Sequence, residues 1–227
     1  TATDGSSNAD TCTFTVSVLD TAKPNSITCG AQTDSNGTAA NNAEATSDNA
    51  AAVYWSATTA TDLGYAANTL TISYASGGAV TSGGSFAIGT HTITATATDG
   101  SSNATTCNFT VNVVDTAVPN SITCGAQTDA NGAAANNVQA VSSNGTAAVH
   151  WSATSATDVG YADNSLTISY ANSGGTAVAT GDSFAIGSHT ITATATDGSS
   201  NATTCTFSVS VVDTAVPNSI TCGAQTD

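Results

Sequence analysis

Six cysteines in two sets of three carry the most chemistry in this chain. Cys12, Cys107 and Cys205 each follow a Thr and open a run of alternating apolar residues, whereas Cys29, Cys124 and Cys222 each end the tetrapeptide Ser-Ile-Thr-Cys. Thiols recurring in this way either oxidise to disulfides or ligate a soft metal. No Cys-x-x-Cys occurs and no His stands close in sequence to a Cys, so a metal site is the weaker alternative. A second set is oxygen-only. The stretch Asp-Gly-Ser-Ser-Asn occurs at Asp99 to Asn103 and again at Asp197 to Asn201. Carboxylate and amide oxygens grouped without nitrogen or sulfur suit a hard cation such as calcium.

The cysteines also set a period. Cys12 to Cys107 is 95 residues and Cys107 to Cys205 is 98. Residues 93–129 recur at 191–227 with three changes, Asn108/Thr206, Thr110/Ser208 and Asn112/Ser210, and a third copy of this core opens the chain. The difference in period falls in loops, one residue before Trp151 and two near Gly174 and Gly175. Copies that vary in loops and keep their strands are stacked versions of one folding unit. The expected organisation is a window on a longer array: 1–20, the last strands of a preceding repeat; 21–115 and 116–213, two complete repeats; and 214–227, the first strand of a following one.

Composition narrows the class. Fifteen Asp and Glu44 stand against Lys23 alone, for a formal charge of −15. Nucleic acid is excluded as a partner, because phosphate contacts need Lys and Arg. No apolar run approaches the ~20 residues that span a bilayer, so no membrane span is expected in this window. Trypsin would meet one candidate bond, Lys23–Pro24, which the proline protects. That suits an extracellular or cell-surface protein.

Strands must position these groups, because alternation with a period of two runs throughout and helix signals are nearly absent. In 188–196 Ile191, Ala193 and Ala195 point one way, and Thr190, Thr192, Thr194 and Thr196 the other. In the next strand Cys205, Phe207, Val209 and Val211 share a face, and the turn at 197–201 makes the pair a hairpin. Ala147, Val149, Trp151 and Ala153 form another inward set, Leu166, Ile168 and Tyr170 a third, with Phe184 and Ile186 nearby. Short strands, one inward face each and one buried Trp per repeat, predict an all-β fold of tandem immunoglobulin-like β-sandwiches arranged head to tail.

Phe86-Ala-Ile-Gly, then 92–99 (Thr-Ile-Thr-Ala-Thr-Ala-Thr-Asp), Asn103, and Cys107-Asn-Phe-Thr-Val resemble the hyalin repeat (HYR) signature. Ser26-Ile-Thr-Cys29 is similar to the motif that opens such a domain. The resemblance covers both complete repeats and both end fragments. It implies an immunoglobulin-like sandwich in extracellular, adhesion-related proteins. The Pro that follows the opening Cys in that family is Gly30 and Gly125 here, so the first strand is expected to leave its Cys differently.

Reach separates the two cysteine pairings. Cys12 and Cys29 are joined by seventeen residues running out of one domain and into the next, about 50 Å if extended, against the ~5.5 Å between Cα atoms that a bridge needs. Pairing Cys29 with Cys107 and Cys124 with Cys205 instead joins first and last strands at one pole of a sandwich. We expect 29–107 and 124–205, with Cys12 and Cys222 bonded to partners outside the window. Cystines imply an oxidising, exported location.

Head-to-tail packing brings the end of one repeat's last strand to the turns of the next. That places Asp20 near Asp99 and Asn103, and Asp115 near Asp197 and Asn201, as candidate calcium ligands. The competing reading has Asp99 and Asp197 capping their own turns and Asp115 as a solvated linker charge. Candidate glycan acceptors in Asn-x-Ser/Thr triplets are Asn36, Asn103, Asn108, Asn144 and Asn201, and outward Thr and Ser could carry O-linked sugar. No enzyme is expected. His91, His150 and His189 alternate outward as solvated strand residues, and His150 is Tyr54 in the sister repeat. The nearest acid pair, Asp158 and Asp163, has Ala67 in place of Asp163 there.

Two functions follow. One is a disulfide-stapled spacer in a long extracellular stalk, surface fibre or filament, its partners being further copies of the same repeat. The alternative is a cell-adhesion glycoprotein module that binds a glycan or protein ligand through sandwich loops. The edges lack the Lys and Pro that usually blunt them, so the Thr, Ser and Asn rows are expected either to self-associate laterally into a filament or to be covered by sugar.

Overall fold

The computed structural model describes residues 1–227 apart from 67–68, 142, 163–164, 218–221 and 223–227. The chain divides into two compact units. Thr1–Asn41, Val53–Gly84 and Thr90–Val111 form one, and Asn42–Ala52, Ser85–Gly89 and Asn112–Asp227 the other. The fold is a tandem β-sandwich of the immunoglobulin type. Among the described residues the regular elements are strands, and no helix is long and apolar enough to cross a membrane.

One sheet of each repeat has four strands. In the first the order is Ala43–Glu44, Ala104–Val114, Gly89–Thr98, Thr71–Ala75. In the second it is Val138–Gln139, Ala202–Val212, Gly187–Thr196, Thr167–Asn172. The two long strands of the second repeat pair antiparallel, with Ile191 opposite Phe207 and Ala193 opposite Cys205. The short Val138–Gln139 strand runs parallel to Val211 and Val212. The hairpin follows from the alternation: Ile191, Ala193, Ala195 and Val209 have no exposed surface, while the Thr and Ser residues between them are half-buried or exposed. Small Ala side chains let the strand lie close to the opposite sheet, and the rings fill the remaining space. Trp151 meets Tyr170, Phe207 and Phe184 edge-on, with centroids 5.5, 5.9 and 6.4 Å apart. Trp55 meets Tyr74 and Phe109 in the same way at 5.4 and 5.9 Å.

Short strands are completed by side chains. Gln127 is buried, and its amide donates to Ser210 O (3.0 Å) while its Oε1 accepts the Ser210 N–H (2.8 Å). The side chain thus stands in for a strand neighbour of Ala202–Val212. The opening strands Asn25–Thr28 and Asn120–Thr123 break register against Thr59–Thr61 and Ser155–Thr157. In each break a serine has positive φ, Ser26 at 46° and Ser121 at 47°.

Gly30 and Gly125 explain the departure from the opening motif. A Cβ at Gly30 would collide with the main-chain oxygen of Ser56, and one at Gly125 with that of Ser152. Their N–H groups donate to the buried hydroxyls of Thr58 and Thr154 at 3.0 Å. The N–H groups of those threonines in turn donate to the hydroxyls of Tyr74 and Tyr170, also at 3.0 Å. A proline would have neither the space nor the N–H.

Three side chains lie differently from expectation. Ala153 does not continue the inward set of Trp151 but is exposed, because the strand ends at Trp151. Ile186 does not turn inward with Phe184 but is 50% exposed. The strand Ser183–Ala185 stops before it, its N–H bonds Gly145 O, and Gly187 at φ 135° restarts the chain as a new strand, so the alternation does not carry across. His189 is not a solvated strand residue. Its ring lies 5.1 Å from that of Phe184, and Nε2 is 2.8 Å from Ala185 O.

Candidate functional site

The Asp-Gly-Ser-Ser-Asn turns owe their shape to their first residue. Asp99 Oδ1 accepts the N–H groups of Ser101 and Asn103, each at 2.8 Å, and Oδ2 accepts Asn103 Nδ2 at 2.9 Å. Asp197 repeats the pattern with Ser199 (2.8 Å), Asn201 (2.9 Å) and Asn201 Nδ2 (2.9 Å). The N-terminal copy does so with Asp4, Ser6 and Asn8, each at 2.9 Å. The expected turn caps are therefore present. They do not exhaust the carboxylates, because each turn also meets the linker. Asn103 Nδ2 donates to Asp20 O and Asn201 Nδ2 to Asp115 O, both at 3.2 Å.

The structure brings a third acid to each group. Asp62 belongs to Thr-Asp-Leu-Gly-Tyr and Asp158 to Thr-Asp-Val-Gly-Tyr. Asp62 Oδ2 accepts the N–H groups of Gly64 (2.7 Å) and Tyr65 (3.0 Å), and Asp158 Oδ2 those of Gly160 (2.9 Å) and Tyr161 (2.8 Å). In Asp20, Asp62 and Asp99, and again in Asp115, Asp158 and Asp197, one carboxylate oxygen from each residue lies within 4.8 Å of the others. Asp99, Asp115 and Asp197 are each only 6% exposed.

Glycines make these approaches feasible. A Cβ at Gly64 would overlap the Asp20 carboxylate, and one at Gly160 would come 2.5 Å from Asp115 Oδ1. Gly100 and Gly198 likewise accept the rings of Tyr65 and Tyr161, whose hydroxyls lie 3.1 and 3.0 Å from Ser101 Oγ and Ser199 Oγ. In the second group Asn49, at φ 63°, also donates its N–H to Gly160 O at 2.7 Å.

Electrostatics distinguish the members. Burial pushes the Asp115 carboxyl up. The Ala117 N–H opposes this, and the charges of Asp158 and Asp197 add to it. Burial also pushes Asp99 upward, but its bonds from the Asn103 side chain and the Asn103 and Ser101 N–H groups outweigh that and hold it below the usual carboxylate value.

Of the candidate cation ligands, Asp20, Asp99 and Asn103 do meet, as do Asp115, Asp197 and Asn201. Asp62 and Asp158 were missed. The available signal was the Thr-Asp-x-Gly-Tyr pentapeptide, which keeps its Asp, Gly and Tyr in both repeats while the loops beside it change. Of the acid pair Asp158 and Asp163, the second member lies outside the described residues. The bridges present are Cys29–Cys107 and Cys124–Cys205, each with Cα atoms 5.8 Å apart. Cys12 and Cys222 are exposed thiols, and the strand expected after Asp213 falls mostly outside the described residues.

The five glycan acceptors divide in two. Asn36, Asn108 and Asn144 are exposed. Asn103 and Asn201 are half-buried, and the nitrogen that would carry sugar is the one donating to the linker carbonyl and the turn carboxylate. Folded protein exposed to a glycosylating system should therefore carry no sugar at Asn103 or Asn201. Site-resolved mass spectrometry checks this, and a glycopeptide containing either residue would contradict it.

The HYR domain matches residues 23–113 and 132–211. No curated protein shows significant similarity to the chain. Among solved structures, fibronectin(III)-like modules of Clostridium thermocellum CbhA are 15% identical, covering 86% of this chain and all of that one, with a TM-score of 0.29. The protocadherin GammaB4 extracellular domain is 14% identical over 86% of this chain and 33% of its own, at 0.35. Sidekick-1 immunoglobulin domains 1-5 are 9% identical over 75% and 37%, at 0.34. The chain thus spans well under half the length of the last two.

Proposed function

Since this chain belongs to the HYR domain family and is an extracellular repeat module, we propose that it serves as a spacer segment of a long extracellular stalk, surface fibre or filament. The observation that carries this reading is that the turn asparagine holds the linker carbonyl in the same way in both repeats. Asn103 holds the main-chain oxygen of Asp20 as Asn201 holds that of Asp115, at the same 3.2 Å. A spacer needs a joint that repeats and no unit that is special. The stretches that differ most between repeats, 42–51 against 137–147 and 75–85 against 171–183, contain no aromatic residue. Binding loops concentrate such residues. A surface hollow of about 480 Å³ in the second repeat has Phe184 and His189 among its lining residues, but these are already packed on one another.

The test is to build arrays of two, four and eight repeats and measure their contour length in electron micrographs. Length should rise by a constant increment per repeat. The opposing outcome is specific, saturable binding of a glycan or protein by the two-repeat chain, with no dependence of function on copy number. That result would replace the spacer with an adhesion module.

A further inference from the structure

We propose that the carboxylate trios Asp20–Asp62–Asp99 and Asp115–Asp158–Asp197 each hold one calcium ion. The proposal is independent of how the array is used.

Three carboxylates with oxygens inside 4.8 Å of one another repel strongly unless something positive lies between them. The chain has one Lys and no Arg against sixteen acids, and none of its three His belongs to either group, so it supplies no such counter-charges there. The hydrogen bonds of the first trio leave particular atoms unused. Asp62 commits Oδ2 to Gly64 and Tyr65, and Asp20 commits Oδ1 to Ala22. Their other oxygens, Asp62 Oδ1 and Asp20 Oδ2, are enclosed by protein and have no hydrogen-bond donor. A buried carboxylate oxygen without a donor is costly, and its neighbours here are further carboxylates, which accept and cannot donate. Gly64 leaves its Cβ position empty where Asp20 Oδ2 sits, so the backbone is shaped to admit that oxygen.

The donor set selects the ion. It contains only oxygen, which excludes the thiophilic and imidazole-seeking metals. Calcium takes six to eight oxygens in flexible geometry and suits a site made of several carboxylates, whereas magnesium demands a near-ideal octahedron, keeps several of its waters and is usually held by only one or two carboxylates. The arrangement occurs twice, from residues 95 to 98 positions apart, with the same Asp-x-Gly-Tyr loop and the same Asp-Gly-Ser-Ser-Asn turn. The second trio is also well enclosed, with Asp115 and Asp197 each 6% exposed.

Calorimetric titration of the intact, oxidised chain with calcium chloride tests this. Two sites per chain are expected, with dissociation constants of about 0.1–1 mM, the range of extracellular modules. Asp158→Asn should weaken one site at least about tenfold and leave the other, and Asp62→Asn should do the reverse. Asn keeps an oxygen for the Gly and Tyr N–H groups, so the loop retains its turn, and far-UV dichroism verifies the fold. Terbium gives a second readout. Tyr65 and Tyr161 lie three residues beyond the Asp of their loops, so tyrosine excitation should produce terbium emission that calcium quenches by competition. Fewer than two saturable sites in the unsubstituted chain would overturn the proposal whatever the variants do. So would two unchanged sites in both folded variants.

Discussion

Unfolding of the second repeat should become easier by about 4.5 kcal/mol when Cys124 and Cys205 are both replaced by Ala. The estimate is that of the chain-entropy model for a loop of this length, and the bridge here spans 81 residues. Folded domains are commonly stable by only about 5–15 kcal/mol, so the loss is a large share of the total. It falls on a core in which Ala147, Ala193 and Ala195 occupy places a larger side chain would fill in a less tightly paired sandwich. Guanidinium unfolding of the double variant, followed by tryptophan fluorescence, measures the effect. A loss below about 1 kcal/mol would mean that the bridge constrains little in the unfolded chain, contrary to this account.

Trp151→Ala should cost about 3–5 kcal/mol, the usual range for removing a large buried aromatic. Trp151 touches three rings and anchors the cluster of Val149, Ile191, Val209 and Val211. Trp151→Phe should cost less than about 2 kcal/mol. Phe keeps most of the ring contact, and the indole N–H it removes is buried without an acceptor, so its loss leaves no polar group stranded. Equal destabilisation by both substitutions would show that shape, rather than buried area, dominates at this site.

These two effects rest on features that were readable in the sequence for different reasons. Alternation revealed Ile191, Ala193, Ala195 and Val209 because a strand buried on one face leaves a period of two that little else imitates. The cysteine pairing depended on reach along the chain, which needs only residue numbers and the rise per strand residue. What stayed hidden depends on where loops return. Asp62 precedes Asp99 by 37 residues and Asp158 precedes Asp197 by 39. Nothing periodic links a loop to a turn across such a gap, and only comparison of the two repeats marked that aspartate. Ile186 misled because alternation was continued through a break that Gly187 makes. His189 misled because outward alternation says nothing about a neighbouring ring, and Phe184 lies beside it. Gly30 and Gly125 were visible as departures from the HYR motif, but their reason is a main-chain oxygen of another strand, which sequence does not display.

The placement of the two bridges also governs what happens when the chain is pulled from its ends. Each cystine ties the first strand of a repeat to its last, so tension entering at Cys124 passes through the sulfur atoms to Cys205 and bypasses the chain between them. The part free to pay out is the stretch from one bridge to the next, such as the 17 residues from Cys107 to Cys124, about 60 Å when fully drawn. Without bridges a 98-residue period could lengthen to roughly 340 Å. Oxidised, the bridged repeat yields little length under load; reduced, it becomes extensible.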